Sequence, residues 1–393
     1  MKLNTGLFLV SILLCIILLT SPLLAAEDFD PELVLEEKLD ELELAPLLEI
    51  WEEMNRDLEQ YLPQLDLYSF VTLSFREGFS LDLKGLLGGL FSYFLRELVG
   101  FSRLLGQLII ISVISAILTG LQDAFEEESV AQLAQGIVFL VLALLALNSF
   151  RLALSLGREA LANMVDVMHA LLPLLLSLLI SMGALTSAAL LHPLVILIIN
   201  SFALLIRNLV LPLIFLAAVL GVVDQISGQF SLSRLAGLLR EASVGLMGLA
   251  LTILIAFLSL QGVAASVGDG ITLRTAKYLA GSFLPVVGGM FADALEILVG
   301  TSLFLKHALG IFGLIVLFFV IAFPILKILA LCIVYKVASA VIQPICGERL
   351  VKSLNDLGNS LTLVFAAVAS VGMAFFIMIT VVVGVANLTV MLR

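Results

Sequence analysis

Lys327 lies three residues after Pro324, inside one of the most apolar runs of the chain. An ionisable group at bilayer depth costs about 2.5–3.5 kcal/mol on insertion scales, so a charge there needs a reason. Either it faces a bundle interior or water-filled cavity, or its stem snorkels to an interface. A second concentration of chemistry runs from Val267 to Tyr278 and on to Gly288. It carries Gly268-Asp269-Gly270, Arg274, Lys277, Pro285 and Gly288. The stretch is too polar for a span and too rich in glycine and apolar residues for a plain loop. A phosphate-cradling loop is rejected, because no strand is expected before it and no Gly-Lys-Ser/Thr follows. A re-entrant element fits better, since irregular backbone at membrane depth must be buried in protein or line a cavity. Gly268, Asp269, Gly270, Arg274, Lys277, Pro285, Gly288 and Lys327 are therefore the candidate pathway residues. Their chemistry is passage, not bond-making.

The types of residue needed for catalysis are scarce. An intramembrane protease needs paired aspartates, a Ser–His pair or a His-Glu-x-x-His motif within spans. Asp224 and Asp293 could be imagined as a pair, but neither sits centrally in a span. Three histidines and three cysteines leave little for a metal centre or a disulfide framework. Cys15, Cys332 and Cys346 read as buried free thiols. No catalytic, cofactor-binding or metal-ligating residue is expected, and the chain is not expected to be an enzyme. Asn148, Asn200 and Gln261 read as interhelical glue. His169 and His192 read as capping or packing residues at span edges.

These residues must be positioned by membrane helices. Hydrophobic residues make up 61% of 393 positions and charged residues 13%. A soluble domain usually carries about 25% charged residues, so most of this surface cannot face water. The expected fold is all-α, a polytopic transmembrane helix bundle of seven or eight spans. With about 20 apolar residues per crossing, candidate spans fall at 104–121, 132–150, 167–186, 190–206, 208–224, 244–265, 308–334 and 361–386. A break and Pro193 between 167 and 206 allow seven.

Residues 1–26 read as a secretory signal: Lys2, an apolar core from Leu7 to Leu19, then Ala25-Ala26. An uncleaved anchor is the alternative reading. Residues 27–103 read as an acidic, amphipathic extracytoplasmic and interfacial segment, and 104–393 as the membrane domain. Residues 27–82 hold 17 Asp/Glu and 3 Lys/Arg, whereas the rest of the chain is mildly basic. This asymmetry argues against nucleic acid, which needs a basic face. An exported N-terminus places the loops at 225–243 and 335–360 in the cytoplasm. Their Arg234, Arg240, Lys336, Arg349 and Lys352 obey the positive-inside rule. The same model leaves Arg151, Arg158, Arg274 and Lys277 outside, against the rule. Pro212 with Arg234-Leu235 and Pro324 with Arg349-Leu350 suggest an internal repeat, or chance similarity between two apolar hairpins.

Val267–Lys277, Leu284-Pro285-Val286-Val287-Gly288 and Phe323-Pro324-Ile325-Leu326-Lys327-Ile328 resemble the stage III sporulation protein AE family. Leu105-Gly106-Gln107-Leu108 leading into Ser112–Leu121 does so too, as does the order of signal, acidic segment and spans. The resemblance implies an endospore-forming bacterium and the mother-cell membrane around the engulfed forespore, with the acidic segment facing the intermembrane space. It implies a multiprotein, secretion-like apparatus that acts as a channel or feeding tube for the forespore. The implied partners are other proteins of the stage III sporulation A operon, including its ATPase and ring-forming members. The forespore stage II sporulation protein Q is an indirect one, and homo-oligomerisation is left open. Within this frame the chain reads as a permease- or channel-like subunit; the alternative is a non-conducting scaffold.

Overall fold

The computed structural model describes residues 31–58, 67–77, 83–124, 128–226, 232–283 and 287–384. The side chains of 259–296 lie outside that description, and so does the expected signal segment. Among the described residues the secondary structure is helical, with no strand. The helices are α1 (Pro31–Glu41), α2 (Ala45–Leu58), α3 (Leu67–Glu77), α4 (Leu83–Gly100), α5 (Ser102–Ala124) and α6 (Glu128–Ser181). They continue with α7 (Leu185–Leu205), α8 (Leu211–Ile226), α9 (Ser233–Phe283), α10 (Val287–Ile342) and α11 (Glu348–Gly384).

Six stretches among the described residues are long and apolar enough to cross a membrane: Lys84–Leu118, Gly136–Ser181, Leu185–Gln225, Ser233–Leu258, Ile297–Ile342 and Glu348–Gly384. The eight apolar runs of the sequence thus collapse into fewer, longer helices. The runs 132–150 and 167–186 are joined through α6, which is 54 residues long. The polar stretch between them contains no proline, and its one glycine, Gly157, is used for packing: a Cβ there would meet Val368 at 3.1 Å. The runs 190–206 and 208–224 are joined by one widened π turn, Ile206–Val210. Leu211 continues it at φ −60, ψ −44, so Arg207 and Pro212 widen the helix without ending it.

Where the chain does turn, the sequence supplies the means. α6 ends at Gly183, whose φ of 82 is left-handed. The Gly183 N–H donates to Ile180 O and the Ala184 N–H to Leu179 O, the paired bonds of a Schellman cap. At the start of α9, the Asp224 carboxylate accepts from the N–H groups of Leu232 (2.6 Å) and Ser233 (3.0 Å), tying α8 to α9.

The core is built on α6, α10 and α11. α10 and α11 run antiparallel, and glycines set the approach. Gly310 faces Val383, Gly372 faces Ile321 and Gly358 faces Lys336, so one number rises as the other falls. α6 is antiparallel to α10, with Leu171 against Gly313 and Asp166–Glu159 beside Phe319–Pro324. The acidic segment is not detached. Trp51 of α2 packs on Phe312 and Phe319 of α10 at ring distances of 5.8 and 6.3 Å. Phe70 of α3 meets Phe312 at 5.8 Å. Leu35, Leu39, Leu44 and Leu47 are buried beneath them, while Glu37, Asp40, Glu43, Glu49 and Glu52 point outward.

The expected repeat falls on two helical hairpins, α8–α9 and α10–α11. Arg240 of the first reaches Asp356 of the second at 3.9 Å. The connections at 225–243 and 335–360 therefore share one end of the bundle.

Candidate functional site

The middle of α6 carries the feature that could do work. Asn148, Arg151, Ser155, Arg158, Glu159, Asn163 and Asp166 are all exposed. Their spacings of three and four place them on one side of the helix. Ala146, Phe150, Ala153, Ala160, Leu161, Met164 and Val167 are buried on the other. From Asn148 to Asp166 the stripe is about 27 Å long at 1.5 Å per residue, close to the ~30 Å of a bilayer core.

Its upper half opens on a cavity of ≈ 320 Å³. Glu159, Asn163 and Asp166 line one wall, Ile50, Glu53 and Met54 of α2 a second, and Phe319, Val320, Phe323 and Pro324 of α10 a third. Pro324 has no N–H, so the Val320 carbonyl one turn earlier loses its helical donor. Both residues face the cavity, so the freed carbonyl lies where polar groups already gather.

α10 separates this cavity from a surface of opposite character. At 100° per residue, Phe319, Val320, Phe323 and Pro324 occupy one side of α10. Phe318, Ile321, Ala322, Ile325, Leu326 and Leu329 occupy the other, where they line an apolar groove with α4 and α11. The cavity with its charged residues from α2 and α6 and an unbroken apolar wall thus lie on opposite sides of α10 at the same level.

The residues singled out in the sequence fall differently. Lys327 is half-buried on α10, one turn beyond Pro324. Gly268, Asp269, Gly270, Arg274 and Lys277 lie within α9, whose backbone is helical to Phe283 and not irregular as the glycines suggested. Pro285 lies outside the described residues, and Gly288 is in the first turn of α10. No side-chain geometry describes the seven positions from 268 to 288. Asn200 joins α7 to α6, its Oδ1 3.4 Å from His169 Nε2. Asn148 instead heads the polar stripe, and Gln261 lies outside the described side chains. Cys332 and Cys346 are free, the first buried and the second half-buried, with its Sγ donating to Ser112 O at 3.1 Å. Cys15 lies outside the described residues. Among the described residues no group of three His, Cys, Asp or Glu is arranged to hold a metal.

The stripe itself escaped the sequence reading, which took 151–166 for an external loop. Its signal was present: polar residues at helical spacing, with no proline between two apolar runs.

Comparison with known proteins bears on nearly the whole membrane portion. No solved structure matches the chain. Stage III sporulation protein AE of Bacillus subtilis (strain 168) is 43% identical over 307 residues, which cover 78% of this chain and 77% of that one. The family model for stage III sporulation protein AE matches residues 65–386, from the start of α3 to the end of α11. The chain is a multi-helix membrane protein that belongs to the stage III sporulation protein AE family.

Proposed function

We propose that this chain is a conduit-forming membrane subunit of a sporulation apparatus between mother cell and forespore, and that the α6 stripe is its wetted wall. The observation that carries the reading is the back-to-back arrangement on α10. If the groove side of α10 meets lipid, the Asn148–Asp166 side lies at the same depth. Seven exposed polar side chains cannot face acyl chains at a cost of several kcal/mol each for the charged ones. They face water or a partner, and a stripe about as long as the bilayer is thick suits a continuous path.

Charge orients the bundle. Arg234, Lys336, Arg349 and Lys352 are exposed around the joined hairpin ends, a cytoplasmic signature. The acidic helices meet α10 from Phe312 to Pro324, about 27–45 Å from Ile342 along the helix axis. They lie on the far side of the bilayer, facing the intermembrane space and the other proteins of the apparatus. Movement of small molecules would draw on a partner ATPase or a gradient.

Single-cysteine variants at 151, 155, 158, 163 and 166, in a background with Cys15, Cys332 and Cys346 replaced by Ala, test the reading in permeabilised sporulating cells. A membrane-impermeant thiol reagent should label the stripe, with little labelling at 87 and 91. Occlusion of the whole stripe once the apparatus has assembled would sink the conduit and favour a non-conducting scaffold, packed on partners through α6.

A further inference from the structure

The groove on the other side of α10 has a shape and a charge that select an occupant. It encloses ≈ 780 Å³, and nearly all of its lining is apolar. Small residues make its floor: Ala322 on α10, Ala369 and Gly372 on α11. α4 makes one wall through Leu87, Phe91 and Phe94. That wall is held by Tyr93, which meets Phe323 edge-on at 4.8 Å. From Phe318 to Leu329 the groove runs about 16 Å along α10, close to the ~15 Å depth of one leaflet's hydrocarbon.

Lys84 stands three residues before Leu87, so positions 84, 87, 91 and 94 share one side of α4. The Lys84 side chain is exposed. α4 and α5 run parallel to α10, with Tyr93 beside Phe323 and Ser112 beside Cys346. The lysine therefore lies beyond the Phe318 end, one turn outside the apolar lining. A cation at the mouth and a leaflet-deep apolar slot below it match a phosphate and its acyl chain.

We propose that this groove is a phospholipid site, with one acyl chain lying along α4 and α10 and the phosphate at Lys84. The proposal rests on the chain lying in a bilayer, not on whether the α6 stripe conducts.

The test uses the full chain in vesicles of phosphatidylethanolamine and phosphatidylglycerol that contain a phosphatidylglycerol with a photoactivatable acyl chain. Crosslinked peptides are mapped by mass spectrometry. Adducts should concentrate on 87–94 and 318–329, relative to the exposed apolar positions Leu249 and Ile253 of α9. Ala322→Trp should remove the groove adducts and leave those on α9 unchanged. Lys84→Glu, which reverses the charge at the mouth, should reduce groove adducts at least about fivefold. Equal adduct density on the groove and on α9 would mean annular lipid only. A groove free of adducts would mean that a second copy or a partner's helix fills it. Groove adducts insensitive to Lys84→Glu would overturn the phosphate assignment. Each of these outcomes refutes the proposal.

Discussion

Single residues at the basic end of the bundle report how tightly its hairpins close. Cys346 sits in the turn between α10 and α11 and donates to the Ser112 carbonyl of α5. Burial pushes its thiol above the ordinary value, because a thiolate there would lose solvation. A raised value leaves less thiolate at a given pH. Maleimide alkylation in a Cys15→Ala, Cys332→Ala background should therefore be slower at pH 8 than for a free thiol. Its rate should still be rising above about pH 8.5, where an unperturbed cysteine is half ionised. A rate profile matching that of a small-molecule thiol would show the turn to be open. Cys346 was legible as a free thiol because so few cysteines exist to pair. Its acceptor was not, since Ser112 lies 234 positions away.

Among the elements, α6 and α10 decide the architecture. Gly313 lies so close to Leu171 that a Cβ would overlap the leucine side chain. Leu171 is fully buried and has little room to retreat. Gly313→Ala should cost about 1–3 kcal/mol, typical of overpacking, and lower the thermal midpoint of the detergent-solubilised protein. Gly300→Ala, where no heavy atom lies within 4 Å of the added carbon, is the control and should be neutral or slightly stabilising. Equal midpoints for the two variants would mean that α6 and α10 are not packed this closely. The apolar runs that build these helices were plain in the sequence. Their continuity was not. Hydropathy records whether a residue favours lipid, whereas Arg151, Arg158 and Glu159 are strong helix formers whatever their solvent. The Gly268–Lys277 stretch misleads in the opposite sense: glycine weakens a helix by roughly 1 kcal/mol. Even so, α9 runs through it.

At the scale of the molecule, an acidic cap and a basic end stand apart along a common axis. The charge asymmetry was visible in the chain, and so was the amphipathic pattern of Leu35, Leu39 and Trp51. What the pattern could not name was the surface those residues cover. The structure supplies it: the part of α10 around Phe312 and Phe319, which read as membrane span, is covered by α2 and α3. Trp51 is 4% exposed. Trp51→Ala should cost about 3–5 kcal/mol and loosen the cap. Limited proteolysis should then cut near Leu42–Leu44, between α1 and α2, far faster than in the parent, with the α6–α10–α11 core retained. Unchanged cleavage would show that the cap is held elsewhere.

The docking of that cap also sets an order of events during synthesis. Trp51 leaves the ribosome about 260 residues before Phe312, a delay of roughly 13–50 s at about 5–20 residues per second. For that interval, α1–α3 have been made and their binding surface has not. Leu35, Leu39, Trp51 and Phe70 spend it without the apolar surface that later shelters them, with only their carboxylates to keep them from associating elsewhere. The acidity of the segment thus acts in the nascent chain as a solubilising guard, before the finished molecule has any use for it.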